Sequence, residues 1–359
     1  MMKIKRREFI LANVIVLSML FYARGITSTP YLQPALLFFP ILTLLATYIL
    51  IKANRVNAKF IYVSLVLLCV GLIFLMQFNF LTFRYGIVNE LGRHLYPLLI
   101  LSLSILIYYK YVRDRKLFIT YFFYVATFLL AVDLFFRLMQ NGTFLPLVSR
   151  YDLKFGGLLF IDSNFNGVLS ASLLLLSIFK FYFISLRVKI LLFFLVCYSF
   201  SLAVYLSLII ILILFFRQKS VIFRWGSVLF LPFIIFIIYD FIAEDGSFLT
   251  KVGIIQNSIV FITDFDVKYL LLGLGSGSFK DFFDGASHNL FGIFTEMGLF
   301  YIFVFIASHL YLYSNVENRL VILFILIGGV VSLFPISYLS LVYFLLLIGF
   351  KGSLKYAKP

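Results

Sequence analysis

The sequence has very little charge for its length and only two cysteines. Charged residues make up 13% of the 359 residues and hydrophobic residues 63%, whereas soluble domains average about 25% charged and about 45–50% apolar. This excess of apolar residues cannot be buried in one globular core, which excludes a soluble enzyme and indicates a polytopic membrane protein. Cys69 and Cys197 both lie in apolar runs, so neither a disulfide framework nor a zinc site is expected.

The signatures of several other protein classes are missing as well. The apolar runs lack the strict alternation of a membrane β-barrel, so the predicted fold class is all-α. No GxxxxGK[ST] sequence is present, which argues against an ATP-driven pump. The net charge is +15, and the basic residues lie in clusters between apolar runs. They do not form a basic stripe on a soluble domain, so no nucleic-acid partner is expected.

The apolar runs predict about twelve transmembrane helices in a single transmembrane domain, 1–359. Two of the runs, 190–216 and 320–350, are each interpreted as a pair of short helices, with turns near Ser199 and at Pro335. Both termini then lie in the cytoplasm, together with 21 of the 30 Lys and Arg but only three of the 15 Asp and Glu. The predicted spans are about 8–27, 31–51, 60–80, 95–111, 117–138, 158–178, 190–200, 202–216, 226–241, 288–309, 320–334 and 337–350.

Two predicted loops on the opposite, periplasmic side are longer than a simple turn. They cover about 139–157 and about 242–287. The second is the most polar stretch of the chain and leads through a glycine-rich run to His288 and Asn289, at the start of an apolar segment. Since most of the remaining chain serves as membrane anchor, chemistry is expected at these loops.

His288, Asn289 and Glu296 form the first candidate site. From 288 to 296 is about two helical turns, so His288 and Glu296 are expected near one face of a helix. A neutral histidine can accept a proton from a sugar hydroxyl. The alternative is a plain helix N-terminus, in which Ser287 or Asn289 is the capping residue and His288 is solvated.

The glycine run and the first loop offer groups that could bind an anion or a sugar. Small residues at Gly275 and Gly277 would let main-chain N–H groups approach a pyrophosphate, although a flexible turn is the alternative. Arg150 and Lys154 could neutralise phosphate, and interfacial snorkelling is the alternative for Arg150. Polar residues inside the following apolar run must be paired or face a cavity; they are Asp162, Asn164 and Asn166.

Two further charged groups are expected to be structural or solvated. Asp133 and Arg137 are four residues apart on a predicted helix, which favours an ion pair. Lys251 lies in the long loop and is expected to be solvated unless it belongs to a binding site.

Together these stretches resemble the O-antigen polymerase and O-antigen ligase superfamily of bacterial inner-membrane proteins. Segment 272–298 is similar to the G-x-G-x-x-F … H-N-x-x-L … E-x-G signature, and segment 154–164 is similar to the R-F/x-G-G … D-P-N segment. Lys251 stands about twenty positions before the glycine run, where the family has a basic residue. The chain departs from the pattern with Lys for Arg at 154 and 251, with Arg150 nearby as a substitute, and with Ser for Pro at 163.

The resemblance implies a glycosyl transfer at the periplasmic face of the bacterial inner membrane. The donor would be a glycan on undecaprenyl pyrophosphate, and no metal or other cofactor is expected. Implied partners are this lipid-linked oligosaccharide, membrane lipid and a chain-length regulator protein. The resemblance implies His288 and Glu296 as catalytic residues, and as substrate- or pyrophosphate-binding residues Arg150, Lys154, Asn164, Lys251, Gly275, Gly277 and Asn289.

Polymerisation of oligosaccharide repeat units into O-antigen or a related surface polysaccharide is the favoured function. The O-antigen ligase, which transfers glycan to the lipid A core, shares the motif and is the nearest alternative. A flippase for lipid-linked sugars is the alternative from another class. It would show inverted repeats and charged residues near the midplane of several helices, and the sequence shows no such repeat.

Overall fold

A computed structural model describes residues 6–20, 87–141, 157–159, 163–199, 201–219, 246–275, 278–283, 289–331 and 336–348. Every regular element within these ranges is a helix, which confirms the all-α prediction for the described part of the chain. Helices occupy nine of the twelve predicted spans. The other three, 31–51, 60–80 and 226–241, lie outside the described residues.

The first of two compact units is built around buried aromatic side chains. Tyr108, Phe118, Phe122 and Phe344 are all fully buried, and the Phe122 and Phe344 rings stack with centroids 5.3 Å apart. This cluster joins α2, α3 and α12. The helices of the unit are α1 (Arg6–Leu20), α2 (Ile87–Tyr111), α3 (Arg115–Asn141), α4 (Ser163–Phe179), α5 (Leu186–Cys197) and, near the C-terminus, α12 (Ile336–Leu347).

Lys180, which directly follows α4, is buried and binds the end of α12. Its side chain is only 1% exposed, and its Nζ donates hydrogen bonds to the carbonyls of Leu345 and Leu346 at 2.8 and 2.9 Å. Carbonyls in the last turn of a helix lack intrahelical donors and carry partial negative charge, so a cation is favourable there. Lys180 therefore links the end of α4 to the end of α12.

The second unit is arranged around one long helix, α10 (Leu290–Tyr313). This helix packs against the three helices that precede it and against α11, and α11 packs against α6. A short 3-10 turn, Val316–Asn318, separates α10 from α11. The other helices of the unit are α6 (Leu202–Lys219), α7 (Gly246–Asp264), α8 (Val267–Leu272), α9 (Phe279–Phe282) and α11 (Arg319–Val331).

The predicted long loop, 242–287, contains three of these helices: α7, α8 and α9. The charged residues at both ends of this interval led to its interpretation as a loop. Its middle, Val252–Asp264, is an apolar helical stretch. The described part of this interval is therefore largely helical, and its periplasmic side stays a prediction. The other predicted loop, 139–157, begins within α3, which continues to Asn141, and 142–156 lie outside the described residues.

Among the described helices, two are long and apolar enough to cross a membrane, α3 over Arg115–Gln140 and α10 over Leu290–Tyr313. The two ambiguous apolar runs each form two separate helices, as predicted: α5 and α6 from the first, α11 and α12 from the second. The break after α5 is supported by Ser199, whose hydroxyl donates to the Val196 carbonyl at 2.7 Å.

Candidate functional site

Asp133 is the centre of a buried polar cluster where α3 meets the start of α4. Its Oδ2 accepts hydrogen bonds from Arg137 Nε at 3.1 Å and from Asn166 Nδ2 at 2.9 Å. Its Oδ1 accepts one from the Leu159 main-chain N–H at 2.6 Å. Asp133 and Arg137 are at most 1% exposed, so the predicted ion pair is confirmed. Asn166, predicted to need a partner, finds it in Asp133.

The amide of Asn166 extends this cluster along α4. Its Oδ1 accepts from the Ser170 hydroxyl at 3.1 Å, and its Nδ2 also donates to the Leu130 carbonyl at 3.1 Å. Satisfied partners on both atoms define the orientation of the amide. The cluster therefore holds the start of α4, and through Leu159 the short segment 157–159, against α3.

The start of α4 also contacts the turn after α5. Ser163, the first residue of α4, donates from its buried hydroxyl to the main-chain carbonyl of Ser199 at 2.7 Å. Asn164 follows it on the first turn of α4 and is partly exposed. The start of the helix that carries Asn164 is therefore held both by the polar cluster and by the turn after α5.

Replacing Arg137 by methionine is expected to destabilise the protein by about 3–5 kcal/mol, because the Asp133 carboxylate would stay buried without its cation. Thermal unfolding in detergent measures the change. Arg113→Met, at an exposed position, is the matched control and should unfold as the wild type does. Adding Asp133→Asn to Arg137→Met should recover part of the loss, since the charge is removed while an acceptor for Leu159 remains. Equal unfolding temperatures for Arg137→Met and Arg113→Met would contradict the prediction.

The long helix α10 is interrupted at Gly298. This residue has φ 73° and ψ 178°, which is not helical, and the helical path continues on both sides of it. A residue with positive φ is accessible to glycine at little cost and is strained for other residues. Gly298 therefore lets the membrane-capable helix kink eight residues after its first residue, Leu290.

Gly273 lies directly against this kink. It ends α8 with φ 80° and ψ 174°, an extended conformation with positive φ that is essentially restricted to glycine. A Cβ atom on Gly273 would lie 2.2 Å from the Glu296 carbonyl oxygen, and one on Gly298 would lie 2.4 Å from the Leu271 carbonyl oxygen. The two main chains approach so closely that only glycine fits on either side. We call this contact of 273–275 with 295–298 the glycine clasp.

Two main-chain hydrogen bonds complete the glycine clasp. The N–H groups of Leu274 and Gly275 donate to the carbonyls of Thr295 and Glu296 at 3.0 and 2.9 Å. The Gly275 carbonyl accepts from the Ser278 hydroxyl at 2.5 Å. Because the Gly275 N–H is bonded to α10, it is not available to an anion. The structure therefore corrects the predicted pyrophosphate-binding role of Gly275: this glycine allows close packing of two main chains.

The Glu296 carboxylate faces the start of α9. Its Oε1 accepts a hydrogen bond from the Phe279 main-chain N–H at 3.3 Å, and the residue is 7% exposed. The Glu296 carbonyl is the acceptor for Gly275 described above, so one residue binds both ends of 275–279. Glu296 thus contacts the main chain at Gly275 and at Phe279, and the catalytic role expected for it stays a prediction.

Asn289 is the N-cap of α10 and is fully buried. Its Oδ1 accepts a hydrogen bond from the Gly292 N–H at 2.9 Å, as expected for a capping asparagine. This contact orients the amide, so Nδ2 is the remaining donor. Nδ2 has no hydrogen-bond partner among the described residues. A buried amide donor without a partner costs free energy, which marks Asn289 as a candidate ligand-binding residue.

Ser258 and Thr295 were not identified from the sequence. Their hydroxyl oxygens lie 3.0 Å apart between α7 and α10, and both residues are buried. Small hydroxyl residues inside apolar helices favour contacts between helices. The residue types of Ser258 and Thr295 could therefore have indicated a contact between helices. The pair links α7 to Thr295, whose carbonyl also accepts the hydrogen bond from the Leu274 N–H.

Several predicted site residues lie outside the described residues. These are Arg150, Lys154, Gly277 and His288, and for Lys251 only its place in α7 is described. Among the described residues, no group of His, Cys, Asp and Glu could hold a metal ion.

The glycine clasp joins the glycine run, 273–275, to Glu296 and Gly298 of α10, and Asn289 caps the same helix. Comparison of the chain with known protein families, curated proteins and solved structures gives no match. A functional assignment therefore rests on the residues themselves.

Proposed function

We propose that this protein is a glycosyltransferase that polymerises undecaprenyl-pyrophosphate-linked oligosaccharide repeat units at the periplasmic face of the bacterial inner membrane. The proposal includes twelve spans with both termini in the cytoplasm, and the predicted loops on the periplasmic side. The observation that carries it is the glycine clasp. It joins the glycine run to Glu296 and Gly298 within the first turns of a membrane-capable helix that Asn289 caps, and a membrane scaffold would not need this arrangement.

The proposed reaction assigns one role to each group. The acceptor sugar hydroxyl attacks the anomeric carbon of the donor glycan, the bond from that carbon to the pyrophosphate oxygen breaks, and His288 takes the hydroxyl proton. Undecaprenyl pyrophosphate leaves with its charge neutralised by Arg150, Lys154 and Lys251. Asn164 and Asn289 orient hydroxyl groups, and Glu296 holds 275–279 in place.

Deleting the gene in the source bacterium and restoring it on a plasmid tests the function. Loss of the polymerase should leave single repeat units on the acceptor, and the plasmid should restore long chains on a gel of the surface glycan. Polymer that accumulates on the lipid carrier would indicate the ligase. Repeat units that never reach the periplasm would indicate the flippase. Unchanged glycan would contradict all three functions.

Asn289 allows its capping role and its proposed binding role to be separated. Asn289→Ser keeps a side-chain oxygen for the Gly292 N–H, so α10 should stay capped, but it removes the Nδ2 donor. We expect normal protein stability and on the order of tenfold lower polymerisation, because one hydrogen bond to substrate is lost. Asn289→Ala should in addition lower stability by about 1 kcal/mol. If Asn289→Ser polymerises as the wild type does, Asn289 is only a cap.

A further inference from the structure

Four aromatic side chains of the second unit form a partly exposed surface beside the glycine clasp. Phe265 is central: its ring centroid lies 6.2 Å from Tyr269, 5.9 Å from Phe282 and 6.1 Å from Phe283. The Phe282 side chain is 54% exposed, and the other three are partly exposed. We call these four residues the aromatic platform.

The aromatic platform rests on buried neighbours that hold it in place. Phe261 and Phe279 are fully buried; Phe261 lies 5.2 Å from the Phe265 ring, and Phe279 lies 5.2 Å from the Phe283 ring. The planes of the Phe265 and Phe282 rings are inclined at 79°, so the two rings pack edge to face. Edge-to-face contacts of this kind are favourable between aromatic rings, and they give the surface a defined shape.

Carboxylates surround the aromatic platform. Asp264 and Asp266 flank Phe265, Asp281 precedes Phe282, and all three residues are exposed. Asp266 precedes α8 but makes no side-chain hydrogen bond to that helix end. Lys268 is the exposed cation beside them, so carboxylates outnumber cations among the described side chains of this surface.

The acidic character distinguishes this surface from the lipid-type surface of α10. On α10 the large exposed side chains include Leu299, Phe303 and Leu310, at 48%, 72% and 62% exposure, and 299–313 contains no carboxylate. Carboxylates are costly in hydrocarbon, so the aromatic platform does not suit acyl chains. A surplus of negative charge also repels phosphate, which disfavours phospholipid head groups and the pyrophosphate itself.

We propose that the aromatic platform binds the sugar rings of the glycan substrate; this rests on the proposed function. The C–H face of a pyranose packs on an aromatic ring, whose face carries partial negative charge. Sugar hydroxyls donate hydrogen bonds, and the exposed carboxylates of Asp264 and Asp266 offer oxygen atoms that accept them. An exposed aromatic surface with surrounding carboxylates therefore matches an uncharged carbohydrate better than it matches lipid or phosphate.

The aromatic platform is continuous with the candidate site. Phe279 packs its ring on Phe283, and its N–H donates to the Glu296 carboxylate of the glycine clasp. Phe283 precedes the proposed base, His288, by five residues. A glycan bound at the aromatic platform would therefore be held beside the glycine clasp, and the aromatic platform itself would take no part in the chemical step.

The test is glycan binding by the full-length protein in nanodiscs. The probe is the oligosaccharide repeat unit released from the surface glycan of the source strain, and saturation-transfer NMR measures its binding. Phe282→Ala should weaken binding on the order of tenfold, as the loss of one stacking ring does elsewhere, and Phe282→Tyr should retain it. Phe303→Ala, a similarly exposed ring on the carboxylate-free surface of α10, is the matched control and should bind as the wild type does.

Three outcomes would overturn the proposal: no glycan binding by the wild type, unchanged binding by Phe282→Ala, or an equal loss in Phe303→Ala. Failure of the proposed function is recognised separately by the gene deletion. If the deletion strain keeps long chains while Phe282→Ala loses glycan binding, the polymerase proposal fails and the binding surface stands. If the deletion leaves single repeats while Phe282→Ala binds glycan normally, the polymerase proposal stands and the proposed glycan-binding surface fails.

Discussion

Replacing His288 by alanine is expected to leave membrane-inserted protein in normal amounts and to yield surface glycan of only one repeat unit. The proposed role of His288 is to take the proton of the acceptor hydroxyl, and loss of a positioned general base typically costs about 10²–10⁴-fold in rate. We expect a loss of this size to leave mainly single repeat units on the acceptor. Gel analysis of the glycan, with protein quantified in the membrane fraction, measures both effects.

Ser287→Ala is the control for the His288 prediction. His288 directly precedes Asn289, the N-cap of α10, so a substitution there could act by disturbing the helix start. If that were the cause, Ser287→Ala would shorten the chains as well. We expect long chains in Ser287→Ala and single repeats in His288→Ala. Long chains in both would remove His288 from the reaction.

Periodicity and charge predicted the helices and one ion pair well, because these features depend on residues close in sequence. The i,i+4 spacing of Asp133 and Arg137 places both on one helix face, and the structure has them in contact at 3.1 Å. The division of the two longest apolar runs into separate helices was likewise visible, from the basic clusters at the ends of the first run and from Pro335.

The glycine clasp was not predictable, because its partners are far apart in sequence and meet through main-chain atoms. Nothing in the residue types of Leu274 and Gly275 shows that their N–H groups bond to Thr295 and Glu296. A glycine run is consistent both with an anion-binding loop and with close main-chain packing, and only the positions of the acceptors distinguish them. The role expected for Gly275 was wrong for this reason.

The helices within 242–287 were not predicted, because charge at the ends of this interval concealed an apolar middle. α7 begins at Gly246 and ends at Asp264, and its stretch 252–263, apolar on average, lies between Lys251 and Asp264. The charged residues lower the hydropathy averaged over the whole interval, whereas the middle of the interval is an apolar helix. Phe261 of α7 packs against the aromatic platform, so this helix is part of the proposed glycan-binding surface.

Alanine at Gly273 or Gly298 is expected to destabilise the protein strongly and to stop chain elongation. Each residue has a positive φ, which costs a non-glycine residue about 1–3 kcal/mol. Each new Cβ would also lie within 2.6 Å of main-chain atoms of the other segment, and overpacking of this kind costs about 1–3 kcal/mol more. Main-chain atoms cannot rotate away as a flexible side chain can, so the glycine clasp must open.

Gly253→Ala is the matched control, because it makes the same chemical change without either cost. Gly253 lies inside α7, and a Cβ atom there would meet nothing within 4 Å. Alanine in a helix interior is favoured over glycine by about 0.5–1 kcal/mol, so this variant should unfold at the wild-type temperature or slightly above. Thermal unfolding in detergent and the glycan gel should then rank Gly253→Ala with the wild type and both clasp variants well below it. If Gly298→Ala instead matches Gly253→Ala in both measurements, the kink in α10 does not depend on glycine, and the glycine clasp does not position the start of α10.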